Sequence, residues 1–421
     1  MSQLSSLPTI MEKVTLKDVC LLVTDGKHGD CQNQEASGYY FLSCKDVRDG
    51  KLNYEGARQI TEADFTDTHR RTQLEPGEIL ITNSGTIGRM AIAPHNKRTH
   101  RTTFQKSVAI LKPDYDKVNP TWLYYYLLSE TDRLITFAGG TAQKNLLLRD
   151  MRAFEIDVPT RDTQRQVVEI LKAYDDLIDN NTRRIEILEE MARRLYEEWF
   201  VHFRFPGHEE VRFKQSELGA IPEGWKPVAF SEVASFMNGF AFKPSHFTDD
   251  GLPVIKIKEL KSGVTADTPR CSGEVKEKYL VKDGDVLFSW SAHLDAYIWR
   301  GGEGWLNQHL FKVDGVDGIP KSFLYFSLKE KMVDFRAKSM GTTMQHIKRS
   351  ALNEVKFPMA AGSLTSKFDD LVTPILNQVL LLQHKNGNLR AQRDLLLPKL
   401  VSGEIDVFNI PMPDDKEVEA A

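Results

Sequence analysis

No run of 18 apolar residues occurs in this 421-residue chain, so no membrane-spanning helix is expected. The opening MSQLSSLPTIMEK lacks a charged start followed by an apolar core, so no secretory signal is expected. Cysteine is scarce: Cys20, Cys31, Cys44 and Cys271 have no C-x-x-C spacing and split three to one between the halves. A shared disulfide framework or zinc site is therefore not expected, and reduced thiols in a cytoplasm are. The 11 histidines contain no H-x-x-x-H or H-E-x-x-H pair. A triphosphate-cradling loop is missing too, because Gly219 and Gly224 are followed by Trp225 and not by lysine. Cations are not in excess either: the formal net charge is −4, which argues against a generic polyanion binder.

Acids, however, are missing locally. Between Ile79 and Pro113 none occurs, while Arg89, Lys97, Arg98, Arg101, Lys106 and Lys112 are all basic. They vanish again between Arg133 and Arg149, and between Phe335 and Asn353, around GTAQKN and GTTMQH. Segregation of this kind suits local phosphate contacts on an otherwise acidic molecule.

What is present is a duplication. WLYYYL (122–127) and GTAQKNL (140–146) recur as FLYFSL (323–328) and GTTMQHI (341–347), 201 residues later. Each copy then enters a long heptad helix. The first seam reads Val167, Leu171, Tyr174, Ile178, Asn181, Ile185, Leu188, Ala192, Leu195, Trp199; adding 201 gives Phe368, Val372, Ile375, Val379, Leu382, Asn386, Leu389, Arg393, Leu396, Leu400. A 3.5-residue repeat sustained over several heptads marks a coiled coil.

Upstream, VTLKDVC (14–20) pairs with PVAFSEVA (227–234), YFLSCKDVRDGKL (40–52) with PVIKIKELKSGVT (253–265), and EPGEILITNSG (75–85) with KDGDVLFSWSA (282–292). Short strands separated by Gly, Asp, Asn and Lys predict β-rich α+β domains whose loops differ. WLYYYL and FLYFSL read as core helix starts, not as base-stacking platforms. The first long helix is predicted from Gln164 to about Phe200, with Thr163 as N-cap and Gln166 closing a capping box. A linker, 206–226, follows. The second helix is predicted from Ser366 towards Leu400, with Pro374 tolerable only near its first turns or as a kink and Gly403 as its stop. Paired antiparallel, the seams would bring Asn181 to Asn386 and set Arg393 over the Tyr174 ring.

These residues resemble a known family, the specificity (S) subunits of type I restriction-modification systems. The duplicated halves, LEEMARRLYEEWFVHFRFPG (188–207), FKQSELGAIPEGW (213–225) and RDLLLPKLVSGEI (393–405) carry the resemblance. It implies an α+β chain of two similar β-rich target recognition domains separated by a long antiparallel two-helix coiled coil, with an internal pseudo-two-fold. The expected layout is a first recognition domain at 1–160 with an arm at 1–13, a helix at 161–205 and a linker at 206–226. A second recognition domain at 227–360, a helix at 363–403 and a tail at 404–421 complete it. The helical rod, about 48 Å at 1.5 Å per residue, would set the spacer of a split, asymmetric target in double-stranded DNA. Implied partners are two modification (adenine methyltransferase) subunits and restriction/translocase subunits; S-adenosylmethionine, ATP and Mg would bind there and none in this chain.

The chain itself would then be non-catalytic. Asn119-Pro120-Thr121-Trp122 lacks the second proline of a D/N-P-P-Y/F methyltransferase loop and reads as a turn before a helix. Pro113-Asp114 with Lys117 has no second carboxylate strand to make a nuclease. The competing readings are a solitary DNA methyltransferase or nuclease and a coiled-coil scaffold that binds protein.

Base edges are read by Arg, Lys, Asn, Gln or Ser, with further cations on phosphates. The candidates in the first copy are Asn83, Ser84, Arg89, Lys97, Arg98, Arg101 and Lys106, with the loop Gln143, Lys144, Asn145 and Arg149. Their counterparts are Trp290, Ser291 and His293, with Gln345, His346, Lys348 and Arg349. Singly each is an ordinary solvated side chain by default; the loops carry weight as a set.

Overall fold

A computed structural model describes residues 11–48, 50–138, 145–339 and 346–407. The chain divides into two compact units, one of Met1–Leu177 with Leu389–Ala421 and one of Ile178–Asn388. Both mix helices and sheets, so the fold class is α+β. No described helix is long and apolar enough to cross a membrane.

The first unit is built on an antiparallel sheet in the order Cys20–Asp25, Val108–Pro113, Ile79–Thr82, Met90–Ile92. Its central strand Ile79–Thr82 is buried at every position, and the period of two divides its side chains between two cores. Ile79 and Ile81 face Trp122, Leu123 and Leu134, whereas Leu80 joins Leu42, Phe104, Val108 and Ile110. The aromatic run forms the helix Pro120–Ser129, with Trp122, Tyr125 and Tyr126 buried as core residues. Asn119 caps that helix, its side chain accepting from the amides of Thr121 and Trp122, which is the turn expected of Asn119-Pro120. Residues 12 and 13, expected in an arm, belong to the strand Glu12–Thr15, which pairs with Glu155–Val158. Val407, expected in the tail, is buried in this unit's core.

The second unit repeats the plan, with sheet order Ala234–Asn238, Leu310–Gly315, Val286–Ser289, Asp295–Ile298. Val286 and Phe288 face one core and Leu287 the other. The segment 206–226 is not a free linker. Phe213–Ser216 and Gly219–Pro222 form a hairpin, and Ile221 and Trp225 are buried, Trp225 stacking on Phe205 with centroids 5.4 Å apart. Those two apolar side chains have too much surface to leave in water.

The long helices differ from expectation at their ends. The first runs Arg161–Tyr196 and continues as a π turn, Glu197–Val201. Its cap is Thr160, whose carbonyl accepts from the Gln164 amide at 2.9 Å and whose hydroxyl accepts from the Thr163 amide. Thr163 is already inside the helix, and the buried Gln166 Oε1 has no partner among the described residues, so the expected capping box does not form. The second runs Gly362–Val401 with Pro374 in its fourth turn. Pro374 and Asp370 are both exposed, so the carbonyl left without an amide partner can bond water. Gly403, at φ 75°, follows its end.

Within each unit the two helices run antiparallel. In the second unit Asn181 meets Asn386, Ile185 packs with Val379 and Leu382, and Tyr196 with Phe368. In the first, Val167 and Leu171 share a core with Leu397, Leu400 and Val401. Arg393 does not cover Tyr174: its Nη1 lies 2.5 Å from Asp175 Oδ1. A charge-assisted bond to a carboxylate outweighs a ring face at a partly wet site. The other Asp175 oxygen accepts from the Tyr125 hydroxyl at 2.6 Å. Burial, reinforced by that carboxylate, pushes the Tyr125 phenol well above its ordinary range.

Candidate nucleic-acid interface

Strand ends and loops come together at one edge of each sheet. In the first unit the strand Ile79–Thr82 stops where Thr82 Oγ1 accepts from the Arg89 amide and donates to the Thr86 carbonyl, closing a tight turn. Asn83, just past the strand, accepts at its carbonyl from the Leu146 amide at 2.8 Å, and Ser84 pairs with Asn145. The Asn83 amide in turn donates to the Ser107 carbonyl at 3.1 Å. A third segment joins from the strand Cys20–Asp25: the Lys27 amide donates to Phe104 O at 2.8 Å, and the Lys106 amide to Lys27 O at 3.1 Å. Gly26 makes that approach possible, because a Cβ there would fall 2.0 Å from the Phe104 carbonyl oxygen.

The result is a hollow of about 350 Å³ lined by Asp25, His28, Asn83, Ser84, Lys106 and Asn145. Four of these were expected from sequence. Asp25 and His28 were missed; their one signal, a basic pair following a glycine at a strand end, lies in TDGKHGD, outside the acid-free stretches.

The second unit is stitched the same way. The Ile347 amide donates to Trp290 O at 3.0 Å, Ser291 pairs with His346, and the Phe240 and Gln308 amides bond Leu306 O and Phe240 O. Gly239 is the matching pinch, with the Asn307 oxygen 2.3 Å from where a Cβ would stand. The side chains delivered are different. Trp290 donates its indole N–H to Gln308 O at 3.2 Å, and Ser291 Oγ lies 3.3 Å from His309 Nδ1. His293 follows in the turn, where burial, helped by the Lys261 cation, pulls its imidazole below the ordinary range.

Not every expected residue joins these clusters. Arg98 lies over the Tyr54 ring and Arg101 over Tyr39, 5.5 and 5.7 Å from the centroids, away from the hollow. Lys97 is exposed in the preceding turn, and Arg89 sits partly buried across from Thr82. Asn83 and Ser291 are buried at 5% and 6% exposure, so they are floor residues and not projecting ones. Arg149 is exposed beside Asp150, and Lys348 is exposed. Arg349 turns back onto its own sheet, donating to Phe236 O at 3.0 Å, as Arg152 does to Val23 O in the first unit. Gln143, Lys144 and Gln345 lie outside the described residues. Among the described residues no cluster of His, Cys, Asp and Glu could hold a metal ion.

A family described as the type I restriction modification DNA specificity domain matches residues 8–190 and 222–360, one stretch in each half of the chain. The chain belongs to that family. Among type I specificity subunits, it is 26% identical over 386 residues to the MjaIX subunit of Methanocaldococcus jannaschii, covering 87% of each chain. The HindI specificity subunit of Haemophilus influenzae is 22% identical over 370 residues, covering 70% of this chain and 80% of that one. In fold it is similar to the crystal structure of a type I S subunit from M. genitalium, with a TM-score of 0.55 at 15% identity over 95% of this chain and 98% of that one.

Proposed function

We propose that this specificity-family chain is the sequence-reading subunit of a type I restriction-modification complex. Each unit reads one half of a bipartite, asymmetric target in double-stranded DNA. The paired helices fix the spacer, with the Asn181–Asn386 bond holding their register. In this reading the recognition domains are 1–160 and 227–360, and the helices span 161–205 and 363–403. Two modification subunits and the restriction/translocase subunits dock on the chain in the cytoplasm. Adenine methylation and DNA translocation are theirs, with S-adenosylmethionine, ATP and Mg bound on them.

One observation supports this most: a matching backbone stitch in both units delivers unlike side chains at equivalent places, Asn83 and Lys106 in one, Trp290 and Gln308 in the other. A kept scaffold with exchanged side chains is what reading two different sequences requires. The test is to assemble the chain with its modification subunits and map the methylated adenines. Two unlike half-sites at a fixed spacing are expected, and removal of seven residues in phase from both helices should shorten that spacing alone. Methylation without any shared flanking sequence would sink the proposal.

A further inference from the structure

Resting on that reading, we propose that His28 is a specificity-determining residue of the first unit. It would offer one imidazole nitrogen to the exocyclic amino group of an adenine or cytosine in the major groove. His28 stands between two hollows. One is the cavity floored by Asn83; the other, about 420 Å³, is lined by Lys27, Asp67, Arg70 and Arg71. Its side chain is 62% exposed, yet it is aimed: Nε2 lies 2.9 Å from Asp25 Oδ2. Asp25 is itself fixed, with 8% of its side chain exposed and its other oxygen held by Arg71 from the helix Glu62–Thr72. An exposed histidine oriented by a buried, doubly bonded carboxylate is a built arrangement, not a solvated side chain.

The carboxylate decides the chemistry. It can only accept, so Nε2 carries a proton against it, and in that tautomer Nδ1 is the acceptor left for a ligand. In the same hollow the buried Asn83 Oδ1 has no partner among the described residues, a second acceptor that a donor entering there would satisfy. Adenine N6 and cytosine N4 are the amino donors of the major groove. Lys27 is turned elsewhere, towards Asp64 and Asp67 at 3.5 and 3.4 Å. The second unit has Phe240 and Ala241 after its pinched glycine, so no imidazole stands at the matching place.

The test uses the full chain assembled with modification subunits, on duplexes carrying every single base-pair change in both half-sites. At one position, adenine is further replaced by purine, or cytosine by 2-pyrimidinone, to delete the amino group alone. Wild type should lose roughly 5- to 150-fold in affinity when that group goes. His28→Ala should lose a similar factor on the parent DNA and then ignore the deletion, with the other half-site read as before. Asp25→Asn should show a smaller loss at the same position, because the ring is less firmly aimed. Equal weakening of all sequences by His28→Ala with a shallower salt dependence would make His28 a phosphate contact and overturn the inference, as would no change anywhere. A wild-type complex that ranks no sequence above another would overturn the recognition reading itself, and this inference with it.

Discussion

Asn181 donates its side-chain amide to Asn386 Oδ1 at 2.9 Å, and Asn386 donates in turn to Ile178 O and Thr182 Oγ1 at 3.3 and 3.2 Å. Asn386 is 3% exposed, in a seam otherwise apolar around it, with Val379 and Leu382 buried nearby. Such a polar pair weakens the seam but is satisfied only in one register. Asn386→Ala should cost about 1–3 kcal/mol by leaving acceptors and the Asn181 amide unmet, read as a lowered denaturation midpoint. Replacing both asparagines by leucine should recover that loss while letting the helices slip, seen as methylation at more than one spacer length. A double variant with unchanged spacing would show that register is set elsewhere along the seam.

At the first unit's end of the same helices, Asp175 bridges the buried Tyr125 hydroxyl and the Arg393 guanidinium. Asp175→Ala removes both partners and should destabilise by about 1–3 kcal/mol. Asp175→Asn keeps an acceptor for Tyr125 but loses the charge opposite Arg393, so its cost should fall between. Chemical denaturation of the three proteins orders them; equal midpoints would mean that water replaces the carboxylate without loss.

The two pinched glycines allow each reading edge to be disturbed separately. Gly26→Ala must push the Lys27 segment off Phe104, and Gly239→Ala must do the same at Asn307. Overpacking of this kind costs typically about 1–3 kcal/mol, and here the displaced backbone carries the recognition side chains. Each variant is expected to lose discrimination in its own half-site while the other half-site is read normally. Binding to a panel of half-site variants checks this, and loss in both half-sites from one glycine would point to global unfolding instead.

Much of this was legible in the sequence because it repeats. The offset of 201 exposed both helices and both aromatic core helices, a different offset of 207 matched the strand ends, and the heptad arithmetic placed Asn181 opposite Asn386. The misses have a common cause: contacts that depend on direction or on distant chain. Asp175 is one residue off the seam, so the rule that put Arg393 over Tyr174 could not see it. His28 meets Asp25 locally, but Lys106 and Asn145 join it only through strands about 80 and 120 residues on. In sequence the stretch 206–226 reads only as a connection between the first helix and the second copy, although Ile221 and Trp225 are buried. Arg349 sits in a basic run, yet its fork bonds the sheet beneath it.

Arg98 and Arg101 separate phosphate contact from base reading. Both are exposed, neither has an ion-pair partner among the described residues, and each is steadied on a tyrosine ring. A guanidinium so placed keeps its donors outward and loses little freedom on meeting an oxyanion. Because these side chains lie apart from the hollow, they should supply affinity without choosing bases. Arg98→Ala with Arg101→Ala is expected to weaken all sequences alike and to lower the slope of log affinity against log salt by up to about two. Titration of the assembled complex at several salt concentrations measures this. An unchanged slope would remove the two arginines from the phosphate backbone and move that role to other exposed cations of the first unit, such as Lys97 and Arg149.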